Sequence, residues 1–133
     1  GFSTVLHDAL FGCGPLVGVT AALERTSFPW VAVLAIDLPA ITPGWFRMLL
    51  ADGAPGVGVV GRRGGYFEPL AALYPRELRF LAWEAMVREE FSFQRLLADA
   101  VAQGLMRVRE ITAAEAPLFE NWNVGVLASP KPD

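Results

Sequence analysis

The fold of this chain is decided by WVAVLAIDLP, residues 30–39, which follows the glycine turn GCGPLVG, residues 12–18, after one helix-length. The apolar run at residues 30–36 is typical of a strand buried on both faces of a sheet. It ends on Asp37, and Pro39 then favours an extended exit from the strand. The glycine turn opens a helix whose first N–H groups are free to meet a phosphate or a nucleobase. Together the two stretches predict a nucleotide site at one end of an α/β sheet.

The composition limits the class of protein. The 133 residues are 53% hydrophobic and 19% charged, which excludes a disordered chain and predicts a single domain, residues 1–133. A net charge of −3 argues against a nucleic-acid partner. Since no apolar run is long enough to cross a bilayer and no export signal is recognisable, we expect no membrane partner and a cytoplasmic location. One cysteine and one histidine exclude an internal disulfide and a zinc cage.

Strand-like and helix-like segments alternate along the chain, which predicts a mostly parallel sheet covered by helices. Strands are predicted at residues 30–36, 57–61, 67–74 and 105–111, and helices at residues 16–26, 43–50, 76–88 and 93–103. Leu16, Val19 and Leu23, with Thr20, form the predicted buried face of the first helix.

Turn and cap residues set the boundaries of these elements. Gly64-Gly65 predicts a hairpin between the second and third strands. Thr42 and Ser92 are predicted helix caps, and Gly104 is the predicted end of the last helix. The aromatic residues Trp83, Phe91 and Phe93 are expected in the core.

Asp37 is the strongest candidate for a catalytic and metal-binding residue. It follows a buried strand at the end of the sheet where open α/β folds bind ligands. Mg²⁺ on nucleotide phosphates keeps several waters and needs only one or two carboxylates, so one aspartate is sufficient. The alternative is an aspartate that forms a turn or caps the next helix. We favour the metal role because Leu38 and Pro39 leave Asp37 at the tip of the strand.

Two other polar groups are candidates for binding. Asn121 and Asn123 are two residues apart, so in an extended segment both amides point to one side and can hydrogen-bond a heterocycle or a phosphate. Turn-forming asparagines in a loop explain the pair equally well. Arg62 and Arg63 lie at the predicted hairpin tip, where two guanidinium groups can hold a phosphate. A solvated turn is the favoured interpretation of the two arginines.

These elements, in this order, resemble the MobA-like nucleotidyltransferases, which make molybdopterin guanine dinucleotide from GTP and molybdopterin. The resemblance is carried by five segments that cover nearly the whole chain. They are GPLVG (residues 14–18), LAIDLP (34–39), EPLAALY (68–74), SFQRLL (92–97) and FENWN (119–123).

The resemblance implies a Rossmann-like three-layer sandwich and Mg²⁺-dependent transfer of GMP from GTP to molybdopterin, with release of pyrophosphate. It implies that Asp37 binds the metal and that Asn121 and Asn123 lie on the acceptor side. The residues it associates with the guanine nucleotide are Gly14, Pro15, Leu16 and Gly18. Protein partners are then expected among the molybdoenzyme maturation factors.

The sequence departs from the family pattern at both ends. The family's first strand and glycine-rich loop, with an arginine and a lysine for the triphosphate, are absent, so we expect an N-terminal βα unit to be missing and this chain alone to transfer little or nothing. After Asn123 the family's threonine-proline-glutamate-aspartate is replaced by VGVLASPKPD. Two alternatives stay open. One is a catalytically inactive relative that binds a protein or a pterin cofactor, and the other is a cytidylyltransferase of the same superfamily.

Overall fold

The computed structural model describes residues 2–6, 15–35, 38 and 40–120, with the backbone alone at residues 2–6. Gly14, Asp37, Asn121 and Asn123 lie outside the described residues. The described strands are β1 (Phe2–Leu6), β2 (Trp30–Leu34), β3 (Gly58–Arg63), β4 (Tyr66–Phe67), β5 (Ala71–Pro75) and β6 (Met106–Glu110). The described helices are α1 (Pro15–Arg25), α2 (Pro43–Asp52), α3 (Leu78–Val87), α4 (Phe93–Ala102) and the short 3-10 helix Ala116–Phe119.

The described strands form one sheet in the order β1-β2-β5-β3, with β4 and β6 both paired to β3. β1 is parallel to β2 and β3 to β6, whereas β5 is antiparallel to β2 and to β3. As a result β1, β2, β3 and β6 run in one direction, and they finish at what we call the carboxyl end of the sheet. The α/β fold is confirmed. The sheet is mixed rather than mostly parallel, because antiparallel pairings outnumber parallel ones among the described strands.

The antiparallel pairings originate in the predicted glycine hairpin, which the structure confirms. Gly64 and Gly65 have φ angles of 58° and 85°, as a tight hairpin turn requires, so the chain reverses directly after β3. A parallel return would need a crossover of a dozen or more residues. β4 and β5 both pair with β3, and Pro69, which has no N–H, separates them where one strand at residues 67–74 was predicted.

Two apolar clusters lie on opposite faces of the sheet. Val60 and Tyr74 pack with α1, α3 and α4 on one face, while Val59 and Leu73 pack with α2 and the 3-10 helix on the other. Successive strand residues point to opposite faces, which explains the division. The resulting order of helices, sheet and helices confirms the three-layer sandwich.

The helix predictions are confirmed in their main features. The buried residues of α1 are the four that were predicted, Leu16, Val19, Thr20 and Leu23. Ser92 caps α4, since its hydroxyl accepts a hydrogen bond from the N–H of Arg95 at 3.2 Å, and Gly104 follows with a φ of 79°. Thr42 occupies the N-cap position of α2, but its side chain makes no capping hydrogen bond.

Two further features differ from the prediction. β1 was not predicted, although it pairs with β2 residue by residue from Phe2 to Leu6. Phe93 is buried as expected, but Trp83 and Phe91 are 56% and 52% exposed, so their assignment to the core was wrong. α3 turns Leu78, Ala82 and Ala85 toward the sheet instead.

None of the helices in the described ranges has the length and apolarity to cross a membrane.

Candidate nucleotide-binding end of the sheet

The parallel strands β1 and β2 finish side by side, with Leu6 opposite Leu34. α1 begins at Pro15, after β1, and α2 begins at Pro43, after β2. In sequence, the connections between these strands and helices carry the glycine turn and Asp37. They depart from the same end of the sheet, which is where open α/β sheets bind ligands.

The start of α1 offers backbone rather than side-chain contacts. Pro15 is its first residue, and the N–H groups of Leu16 and Val17 have no acceptor within the helix. The first turn contains no acidic residue, so no side chain of that turn neutralises the positive end of the helix dipole. The side chain of Leu16 is 1% exposed and belongs to the apolar cluster of this face. A nucleotide contact of Leu16 would therefore use its backbone, while the nucleotide role of Gly14, Pro15, Leu16 and Gly18 stays a prediction.

A cavity of about 440 Å³ opens between β2 and α2, a volume within the range of small-molecule sites. Its apolar walls are Ala32, Leu34, Ile41, Pro43, Phe46 and Leu50, with Thr42 and Arg47 as polar members. Arg47 is exposed and makes no hydrogen bond or ion pair within the part of the chain that the structure describes. Sequence reasoning missed this cavity, because α2 was predicted only as a helix over residues 43–50, with no residue assigned to a site.

Arg62 and Arg63 lie at the other side of the carboxyl end and do not act together. Arg62 is bound to Glu110, with Nε 2.8 Å from Oε2. Arg63 is bound to Glu68, with Nη2 3.1 Å from Oε2, and it also donates to the backbone carbonyl of Ala116 at 3.4 Å. Each guanidinium has its own carboxylate and remains partly exposed, and neighbouring strand residues point to opposite faces of the sheet, which favours the solvated-turn interpretation over a joint phosphate clamp.

Glu68 has no role in the sequence predictions, yet it lies at this end of the sheet. The N–H of Ala35, just after β2, donates to the carbonyl of Leu70 at 2.9 Å, so the residues before β5 adjoin those after β2. Burial raises the pKa of the Glu68 carboxyl, and Arg63 opposes that rise through its charge and its hydrogen bond. The pair joins β3 to the segment that enters β5.

The 3-10 helix Ala116–Phe119 leads along the chain to Asn121 and Asn123. Phe119 is 4% exposed and packs edge-to-face against Trp45, with ring centroids 4.9 Å apart. The indole N–H of Trp45 donates to the carbonyl of Ala71 at 2.8 Å. Phe119 is therefore the buried anchor of FENWN, and the two asparagines of this segment stay predicted acceptor-side residues.

Glu115 fixes the start of the 3-10 helix. It accepts a hydrogen bond from the N–H of Thr112 at 3.1 Å and lies 3.4 Å from Nη2 of Arg109. The Thr112 hydrogen bond, followed by the interactions with Arg109, holds the pKa of Glu115 below its usual value against the opposing effect of burial. In the described residues no three His, Cys, Asp or Glu side chains come together as a metal cluster.

Comparison with known proteins places this geometry in a family. Residues 3–113 match the MobA-like NTP transferase domain. A probable molybdenum cofactor guanylyltransferase of Opitutus terrae is 42% identical over 119 residues, which are 87% of this chain and 59% of the relative. The molybdenum cofactor guanylyltransferase of Pseudomonas paraeruginosa is 40% identical over 125 residues, which are 92% of this chain and 61% of the relative. This chain thus spans about three fifths of the length of these curated relatives.

A solved structure supports the fold. The molybdopterin-guanine dinucleotide biosynthesis protein A of Archaeoglobus fulgidus superposes with a TM-score of 0.64 and 21% identity, over 81% of this chain and 55% of that chain. The shared architecture, together with the match over residues 3–113, shows that the chain belongs to the MobA-like NTP transferase domain family.

Proposed function

We propose that the whole protein transfers GMP from GTP to molybdopterin and forms molybdopterin guanine dinucleotide. One observation carries the proposal: in a chain of this family, β1 and β2 finish side by side and lead into the two connections that contain the glycine turn and Asp37. A terminal phosphate oxygen of molybdopterin attacks the α-phosphorus of GTP. The bond between the α-phosphorus and the bridging oxygen breaks, and pyrophosphate leaves.

The start of α1 is the proposed nucleotide side. Gly14, Pro15, Leu16 and Gly18 bring backbone close to the ligand, and the positive end of the helix dipole favours an anion. The absence of an acidic residue from the first turn of α1 supports this assignment. Because the contacts come from backbone, the choice of base rests on shape and on carbonyl and N–H positions rather than on a charged side chain.

The donor set fits Mg²⁺ held mainly by phosphates and water. The connection between β2 and α2 contains one carboxylate, Asp37, and Mg²⁺ in nucleotide sites uses one or two carboxylates with several waters. When Mg²⁺ is bound, it neutralises negative charge on the phosphates. Asp37 is the residue that holds the ion. Arg47 is a second charged side chain at this end of the sheet, and it forms no ion pair with a described residue.

The acceptor side is assigned to the segment after the 3-10 helix. The attacking phosphate is already a nucleophile, so the protein chiefly has to orient it and to stabilise the charge that develops. Asn121 and Asn123 offer amide donors and acceptors for this purpose. The buried anchor Phe119 supports the assignment, because it fixes the point from which the two asparagines follow.

The test uses the full-length protein with GTP, Mg²⁺ and molybdopterin, with the dinucleotide measured by chromatography. We expect dinucleotide and pyrophosphate in equal amounts, and little product when CTP replaces GTP. Product with CTP but not GTP would identify a cytidylyltransferase instead. Molybdopterin binding without any transfer would identify an inactive relative that binds the cofactor. We expect the reaction to take place in the cytoplasm, with molybdoenzyme maturation factors as the protein partners to be tested.

A further inference from the structure

The β3–β4 hairpin carries an exposed aromatic ring that packing does not explain. Tyr66 is 68% exposed, more than any other large hydrophobic residue in the described ranges. Its hydroxyl makes no hydrogen bond to a described residue. A ring left bare at the end of a sheet where ligands bind is available for contact with a ligand.

The sheet register fixes the face on which this ring lies. Arg63 pairs with Tyr66, as Arg62 does with Phe67. Directly paired residues of antiparallel strands share a face of the sheet. Arg63 contacts the 3-10 helix through the carbonyl of Ala116, so Tyr66 lies on the face of that helix. This is the helix from which the chain continues to the two asparagines.

The hairpin is held on both faces. On the face of Tyr66, Arg63 is bound to Glu68 and to Ala116. On the other, the amide of Gln94 accepts from the N–H of Phe67 at 2.9 Å and donates to its carbonyl at 2.8 Å. A ring carried on a fixed support loses little conformational freedom when it binds, which favours affinity.

The position of the hairpin assigns it to the second substrate. Arg62 pairs with Phe67 of β4 on one side and with Glu110 of β6 on the other, so β4 lies on the β5 side of β3, two strands or about 10 Å from β1 at the usual spacing of strands. If the nucleotide lies at β1 and the start of α1, the hairpin flanks the neighbouring part of the carboxyl end, on the face of the 3-10 helix that leads along the chain to the proposed acceptor residues.

We propose that Tyr66 is a recognition residue for the acceptor, and that its ring stacks on the flat pyrimidinone ring of the molybdopterin pterin while the Arg63–Glu68 pair holds the hairpin in place. This inference rests on the proposed function for the identity of the acceptor. A flat pyrimidinone ring matches an exposed phenol ring, because aromatic side chains stack on heterocycles through their flat faces.

The experiment compares three variants of the full-length protein. Tyr66→Ala removes the ring, Tyr66→Phe keeps it, and Phe80→Ala removes a similarly exposed ring from α3, on the other face of the sheet. The KM values for molybdopterin and for GTP are measured separately, and molybdopterin binding without GTP is followed by isothermal titration calorimetry. Circular dichroism checks that each variant is folded.

We expect Tyr66→Ala to raise the KM and the Kd for molybdopterin about tenfold, with the KM for GTP within about twofold. Tyr66→Phe should restore most of the affinity, and Phe80→Ala should change neither constant. Unchanged molybdopterin binding in folded Tyr66→Ala would overturn the inference while leaving the proposed function intact. Conversely, Tyr66-dependent molybdopterin binding in a protein that transfers nothing would support the inference and overturn the proposed function. A wild-type protein that does not bind molybdopterin would overturn both.

Discussion

At the β1/β2 side of the carboxyl end, the described N–H and guanidinium donors are unpaired among the described residues, whereas at the β3/β6 side the charged side chains are bound to one another. The start of α1 has N–H groups without acceptors in the helix, and Arg47 on α2 has no described partner. At the other side, Arg63 is committed to Glu68, and Arg109 is committed to Asp52 and Glu115.

The difference separates two uses of charge. Exposed ion pairs contribute only about 0–1 kcal/mol each to stability, so the pairs at the β3/β6 side matter chiefly because they fix the hairpin and the 3-10 helix. Unpaired donors at the β1/β2 side do nothing for the fold but remain free for an anionic ligand. We therefore expect substitutions at the β1/β2 side to act on the transfer reaction. Substitutions at the β3/β6 side should act on the geometry of the hairpin and the 3-10 helix.

Asp37→Asn should have the largest effect on transfer, since it removes the one carboxylate proposed for Mg²⁺. Metal neutralisation of phosphate charge supplies several kcal/mol, so we expect kcat to fall by about a thousandfold while the free energy of unfolding changes little. The measurement is the rate of dinucleotide formation at saturating GTP across a series of Mg²⁺ concentrations. The matched control is Asp99→Asn, an exposed aspartate on α4. Equal rates for Asp37→Asn and wild type would remove Asp37 from the mechanism.

Phe119→Ala should be the most destabilising change at the β3/β6 side. It removes the edge-to-face contact with the ring of Trp45. Deletion of a buried phenylalanine side chain lowers the free energy of unfolding by about 3–5 kcal/mol. Urea titration gives the loss of unfolding free energy, and Phe119→Leu should recover more than half of it. In conditions where the variant is folded, we expect the KM for molybdopterin to rise more than the KM for GTP. The reverse order would separate the 3-10 helix from the acceptor side.

Local features were predictable from the sequence where one short pattern determines them. The 3.6-residue period selected the four buried residues of α1, and Gly64-Gly65 selected the hairpin. The pairing of β5 with β2 was not predicted because an apolar run carries no information on which neighbour it joins. β1 was not predicted because its sequence, FSTVL, mixes polar and apolar residues over only five positions. A periodic or turn signal was missing in both cases.

The candidate site shows the same difference between features that a local pattern predicts and features that depend on distant contacts. Asp37 was predicted from local facts, since it follows an apolar run and lies two residues before a proline, and its role stays a prediction. The contact of Arg63 with Ala116 joins residues 53 positions apart, and the cavity beside α2 exists only once the helix packs on β2. Such contacts depend on the register of the whole sheet, which no local pattern specifies.

Arg63→Met should distinguish the role of Arg63 from that of Arg62 in the hairpin. It removes the contacts with Glu68 and Ala116 but keeps an unbranched apolar side chain, so we expect a loss of stability below about 1 kcal/mol. The KM for molybdopterin should rise a few-fold through misplacement of Tyr66. Arg62→Met, which breaks the pair with Glu110 on the other face, should cost similar stability without the change in KM. Identical kinetics in both variants would show that the hairpin does not position the acceptor.

Glu68→Gln should give the smallest effect, visible as a pH dependence. Because burial raises the pKa of Glu68 in the folded protein, the native state binds this proton more tightly than the unfolded state does. The resulting stabilisation is fully present below the unfolded pKa and is lost as the pH rises through the folded pKa. The free energy of unfolding of wild type relative to Glu68→Gln should therefore increase as the pH is lowered from 7 to 4.

Glu115→Gln is the control for this measurement, because its sign is opposite. The pKa of Glu115 is lowered, chiefly by the hydrogen bond from Thr112, so its stabilisation is present above the unfolded pKa and is lost as the pH falls through the folded pKa. Wild type should lose stability relative to Glu115→Gln over the same titration. Denaturant unfolding of the three proteins at matched ionic strength measures both differences. If both free-energy differences changed with pH in the same direction, burial would not dominate the pKa of Glu68, and the pairing with Arg63 would have the stronger effect on it.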